Sequence, residues 1–146
     1  MTLPPTPSQT VGPFFSIGLC RRAENELGSS LRLHGRLIDG TDEPIGDGVI
    51  EVWDAARRKW GRCPTDAQGM FEFTIDPPEP CLHVNVFARG LLKHQVTRVY
   101  APGASDHVLE ALPAADRATL VAVGEDGALR FDIRMQGPHQ TVFFAV

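Results

Sequence analysis

The chain has 146 residues, 42% of them hydrophobic, and a formal net charge of −4, which fits one domain with a core that needs no staples. An acidic balance without a basic tract argues against nucleic acid or an anionic membrane surface as the main partner. Cys20, Cys63 and Cys81 are odd in number and lack CxxC or CxxH spacing, so they read as reduced thiols and not as a disulfide frame or a zinc site. The opening MTLPPTPSQ carries neither a basic segment nor a long apolar one, and no window reaches the length of a membrane span, so the expectation is a soluble cytoplasmic protein.

In chain order, TPSQTVGPFF (6–15) belongs to an extended arm over residues 1–18 that carries Phe14, Phe15, Ile17 and Leu19. Apolar side chains of that size need a surface to cover, on this chain or on a neighbour. LRLHGRLI (31–38) alternates Leu31, Leu33, Gly35 and Leu37 with Arg32, His34 and Arg36, the pattern of a half-buried strand. DGTDEPIGDG (39–48) is turn chemistry, and its acidic residues lack the spacing of a calcium loop. VIEVWD (49–54) is a second strand, with RRKWGR (57–62) as its exposed extension.

DAQG (66–69) turns into MFEFTI (70–75), and LHVNVFAR (82–89) pairs with HQVTRVY (94–100) as a hairpin. SDHVLEAL (105–112) is the one helix candidate, capped by Ser105 or Asp106 and stopped by Pro113. TLVAV (119–123), LRFDIRM (129–135) and TVFFA (141–145) read as the last strands, with GEDG (124–127) as a turn. About eight short strands predict an all-β antiparallel sandwich or barrel with at most one short helix. The expected organisation is an arm, 1–18, followed by a single β-sandwich domain, 19–146.

TPSQTVGPFFSIGL (6–19), GDGVIEVWDA (46–55), VNVFARGLLKHQVTRVY (84–100) and LRFDIRMQGPHQTVFF (129–144) are collinear. Together they resemble the α-subunit family of the protocatechuate 3,4-dioxygenases, within the intradiol ring-cleavage dioxygenases. The resemblance implies a β-sandwich of the intradiol type and a cytoplasmic α/β hetero-oligomer. It also implies a β subunit that holds Fe(III) through two tyrosines and two histidines and cleaves protocatechuate with dioxygen to 3-carboxy-cis,cis-muconate. This chain is shorter than such α subunits, chiefly between DAARRKW and TDAQG and again before LHVNVF.

A two-Tyr, two-His site cannot form here, because Tyr100 is the single tyrosine. By the same resemblance, Phe71 stands at a ligand-tyrosine position, and the family's HxH reads His83 followed by Asn85. A phenyl ring offers no oxygen to a hard ferric ion. The expectation is therefore an α-type subunit that binds no metal or other cofactor itself and completes the active site of its β partner.

The resemblance assigns Thr10, Gly12, Pro13 and Phe14 to a loop lining the partner's substrate pocket, and Arg89 to the same pocket. A guanidinium there suits an aromatic carboxylate; the alternative for Arg89 is an intersubunit salt bridge. Two other functions stay open from sequence. One is a stand-alone metalloenzyme using His83 and His94, and the other is a non-catalytic binding or structural sandwich. Cys63 and Cys81 lack a basic partner for nucleophilic work, and no nucleophile elbow surrounds Ser16 or Ser30.

Overall fold

Strand alternation decides the architecture. The computed structural model describes residues 3–12, 14–20 and 24–145. In β1 (Leu31–Ile38), Leu33, Gly35 and Leu37 are buried while Arg32, His34 and Arg36 point outward. The same phase runs through β4 (Met70–Ile75), which buries Phe71, Phe73 and Ile75, and through β5 (Cys81–Phe87), which buries Leu82, Val84 and Val86. The remaining strands are β2 (Val49–Asp54), β3 (Lys59–Pro64), β6 (Gln95–Tyr100), β7 (Val123–Glu125), β8 (Ala128–Arg130) and β9 (Ile133–Arg134).

One sheet has the order β4-β1-β8-β7, with β9 also paired to β1; the other is β3-β2-β5-β6. Their inner faces meet in a core built on Leu33, Leu37, Ile50, Val52, Phe73, Val84 and Val86. Each such side chain contributes roughly 1.5–3 kcal/mol on burial. A smaller cluster of Cys81, Tyr100, Leu109 and Leu120 closes one end.

The all-β sandwich matches the expectation, with differences in detail. β8 and β9 run parallel to β1, so the sheets are not wholly antiparallel. LRFDIRM is one run along β1 broken at Phe131–Asp132, and the break lies against Gly35. A Cβ at Gly35 would stand 1.8 Å from the Phe131 carbonyl oxygen, so this close approach requires glycine. RRKWGR does not extend β2: the chain reverses at 55–58 and returns as β3, pairing Trp53 with Trp60.

TLVAV is not a strand. Thr119 closes a helix by donating its hydroxyl to the Asp116 carbonyl at 2.8 Å, and Leu120 drops into the small cluster. TVFFA likewise makes only an isolated bridge, Val96 to Phe144.

Among the described residues, three short helices stand where the sequence led to at most one. α2 (His107–Glu110) is the expected helix, and Asp106 caps it by accepting from the amides of Val108 and Leu109. α3 (Ala114–Ala118) follows Pro113, which both stops α2 and opens α3. α1 (Phe15–Leu19) lies in the stretch expected to be extended and runs through residue 18. No helix among the described residues is long and apolar enough to cross a membrane.

Candidate functional site

The tip of the β5–β6 hairpin gathers what the sequence kept apart. Ala88, Arg89 and Gly90 form the turn, and Gly90 has φ +90°, a conformation suited to glycine. The Gly90 amide donates to the Thr10 hydroxyl at 2.9 Å, so the arm is fastened to the hairpin that carries Arg89. A hollow of about 260 Å³ lies where the arm meets it, walled by Gln9, Val11, Phe87, Leu91, Leu92 and His94. The imidazole of His94 stacks on Phe87 at 5.2 Å.

Arg89 borders two further hollows of about 450 and 480 Å³, both also lined by Asp39 and Ile45. Its Nε lies 3.2 Å from Asp47 Oδ2, with the arginine side chain 67% exposed. Asp47 sits in the GDG turn before β2, and Thr65 braces that turn on both sides. The Thr65 hydroxyl donates to the Ile45 carbonyl at 2.7 Å and accepts from the Gly48 amide at 2.9 Å. Asp39 is turned into its own loop: the Thr41 amide, then the Thr41 hydroxyl and the Glu43 amide, hold its carboxyl below the usual carboxylate range.

Thr10 and Arg89 are thus brought to one place. Gly12 and Phe14 follow along the arm; Phe14 is 75% exposed, and a Cβ built on Gly12 would meet nothing within 4 Å. Pro13 lies outside the described residues. Asp47 escaped the sequence reading as anything but a turn residue. Its signal was the G-D-G that places a carboxylate at a sharp, glycine-flanked bend.

The positions named for a degenerate metal site separate. Phe71 is not beside His83 and Asn85. It lies in the core of the other sheet, edge-on to Phe73 at 6.4 Å, because in β4 the odd-numbered residues face inward. His83 and Asn85 alternate with the buried Leu82, Val84 and Val86 and so face outward on β5. The strand register sets Trp53 and Arg98 on either side of His83, and Glu51 and Val96 on either side of Asn85. Asn85 Nδ2 donates to Glu51 Oε2 at 3.4 Å.

Burial, and then the nearby Arg98 guanidinium, hold the His83 imidazole below its usual range, which keeps it neutral at neutral pH. His94 belongs to the far end of the hairpin, about 13 Å away along the strand, so His83 and His94 do not converge on one ion. Tyr100 is fully buried, donating to Asp106 Oδ1 at 3.0 Å and accepting from Arg98 at 3.3 Å. Burial pushes its phenol up to about 12, the opposite of what a phenolate ligand needs. Among the described residues no three His, Cys, Asp or Glu side chains come together as a metal would require. The donor set does not fit a ferric ion.

No protein-family model matches the chain. It is 36% identical to the protocatechuate 3,4-dioxygenase alpha chain of Burkholderia cepacia, over 197 aligned positions covering 99% of each chain. That aligned length exceeds the chain's own 146 residues, so internal segments of the relative have no counterpart here. The protocatechuate 3,4-dioxygenase beta chain of Burkholderia cepacia is 27% identical over 79% of this chain and 68% of its own length.

Among solved structures, the dioxygenase domain of a dioxygenase–carbohydrate-binding fusion from Streptomyces sp. SirexAA-E superposes with a TM-score of 0.60 at 22% identity. The match covers 92% of this chain and all of that one. This last likeness bears on the fold alone. With the fold and the end-to-end alpha-chain similarity in agreement, the chain belongs to the intradiol ring-cleavage dioxygenases, as a chain of protocatechuate 3,4-dioxygenase alpha type.

Proposed function

We propose that this chain is the metal-free alpha component of a heteromeric protocatechuate 3,4-dioxygenase, completing the substrate pocket of an iron-bearing beta subunit. The observation that carries the reading is the bond from the Gly90 amide to the Thr10 hydroxyl. It holds the TVGPFF loop and the Arg89 hairpin as one unit, with Phe14 and Arg89 both turned to solvent. A chain that used this sandwich only as a scaffold would gain nothing from fastening an exposed loop beside an exposed guanidinium.

In this reading the partner's Fe(III) supplies the ring-cleavage chemistry with dioxygen. The present chain orients: Arg89 pairs with the substrate carboxylate, Gly12 lets backbone approach the ring closely, Pro13 stiffens that approach, and Phe14 closes the pocket against water. The stand-alone alternative built on His83 and His94 has no support in their placement.

The test is to produce the chain with and without a beta-type partner and assay iron and ring cleavage. Iron and activity are expected only in the co-purified complex, where Arg89→Ala raises KM for protocatechuate by about tenfold. Stoichiometric iron and turnover by the chain alone would sink the proposal.

A further inference from the structure

We infer that Asp47 is a positioning residue for Arg89, engaging the guanidinium at Nε so that its terminal nitrogens are presented to an aromatic carboxylate. This rests on the proposed reading of Arg89 and adds to it the group that aims the side chain. Three observations carry it.

The first is where the ion pair is made. Asp47 Oδ2 approaches Arg89 at Nε, 3.2 Å away, as an ion pair, and no hydrogen bond from the guanidinium is made within the described residues. A guanidinium is a flat fork with five N–H donors, so a carboxylate drawn to the Nε side leaves the end-on edge able to take another carboxylate through two parallel bonds.

The second is rigidity. Asp47 is only 24% exposed, and its turn is clamped by Thr65 from Ile45 to Gly48. A Cβ on the preceding Gly46 would stand 3.0 Å from the Asp66 carbonyl, so the turn packs closely on the loop before β4. The backbone that carries the carboxylate is therefore held in place.

The third is need. Arg89 is two-thirds exposed on a hairpin turn, where a free arginine samples many rotamers and loses that freedom on binding. Immobilising one such side chain costs enough to weaken affinity by about two- to tenfold. Asp47 meets part of that cost before substrate arrives.

The competing role for Asp47 is an acid that occupies Arg89 and repels an anionic substrate. The two roles predict opposite signs. The experiment uses the chain co-produced with its iron-bearing partner and compares Asp47→Asn, Asp47→Glu and Arg89→Ala. The readouts are KM and kcat for protocatechuate and, as a control without a carboxylate, the KM or inhibition constant of catechol.

Asp47→Asn is expected to raise KM for protocatechuate about two- to tenfold, with kcat close to wild type and catechol unaffected. Asp47→Glu recovers most of the loss, because a longer carboxylate still reaches Nε. If Asp47→Asn lowers KM or leaves it unchanged while Arg89→Ala raises it, Asp47 does not position Arg89 and the inference fails, although the pocket reading stands. If Arg89→Ala also leaves KM unchanged, or no active complex forms, the reading beneath it falls and the inference falls with it. Should Asp47→Asn also lower thermal stability, the recovery by Asp47→Glu decides between a disturbed turn and a lost guide.

Discussion

Asp106 concentrates more polar bonds than any other carboxylate at its end of the fold. It accepts from the amides of Val108 and Leu109, from the Tyr100 hydroxyl and from Arg98. Burial by itself raises its pKa, but the Leu109 amide, Tyr100, Arg98 and the Val108 amide outweigh that, and the carboxyl lies below the usual carboxylate range. A carboxyl with a depressed folded pKa stabilises the native state above its unfolded value, near pH 4, and that contribution is lost as pH falls through the folded value. Asp106→Ala should therefore cost about 1–3 kcal/mol at pH 7. The gap to wild type should narrow as the pH falls through the depressed folded value. Chemical denaturation at a series of pH values checks both statements; a gap independent of pH would mean that the ionised carboxylate is not what holds α2 to Tyr100. The same network explains why the single tyrosine is unsuited to metal: its oxygen is committed inside the fold.

The arm is an element held by its own subunit at both ends, through Thr10 to the Gly90 amide and through the Leu19 carbonyl to Arg62 at 3.4 Å. Between those points Gly12 has open space around it, so nothing among the described residues requires a glycine there. Gly12→Ala should leave the unfolding midpoint of the isolated chain unchanged. It should lower the activity of the complex by roughly tenfold, as displacing a positioned pocket wall does. Equal activity would show that the arm faces neither substrate nor partner at this residue. The arm is also where the sequence was least legible. Strands β1, β4 and β5 could be read directly because burial on one face forces a period of two. α1 could not, since FSIGL has poor helix formers and buries none of its own side chains. α3 was hidden because Pro113 was read only as a stop. Phe71 was misplaced for a related reason: matching the DAQG turn to a motif ignored strand phase, which sends residue 71 to the core and residues 83 and 85 to the opposite sheet's outer surface. Thr10 and Arg89 were named by resemblance, but the bond that joins their stretches spans 80 residues and has no local signature.

At the scale of the whole molecule, several large apolar side chains remain outside the core. Phe14, Ile17 and Leu19 on and beside α1 are 75%, 67% and 46% exposed, and Trp53 and Trp60 are 39% and 44% exposed. Arg62 links the end of α1 to Trp60: its guanidinium lies 4.8 Å over the Trp60 ring while donating to the Leu19 carbonyl. None of the side chains of α1 is fully buried, so its own chain gives this five-residue helix little tertiary stabilisation, and a helix so short is unstable by itself. The natural cover in the proposed assembly is the beta subunit, at the surface next to the shared pocket. Ile17→Asp places a charge where an apolar contact would be desolvated, and an unpaired buried charge is among the costliest changes an interface can meet. The substitution should leave the fold intact, since Ile17 is mostly in water in the isolated chain, and should weaken co-purification with the partner by at least about tenfold. Analytical ultracentrifugation of the mixed subunits, alongside a melting curve of the variant alone, separates the two effects. A variant that melts like wild type yet assembles normally would leave this face outside the interface. The pocket reading would then rest on Thr10 and Arg89 alone.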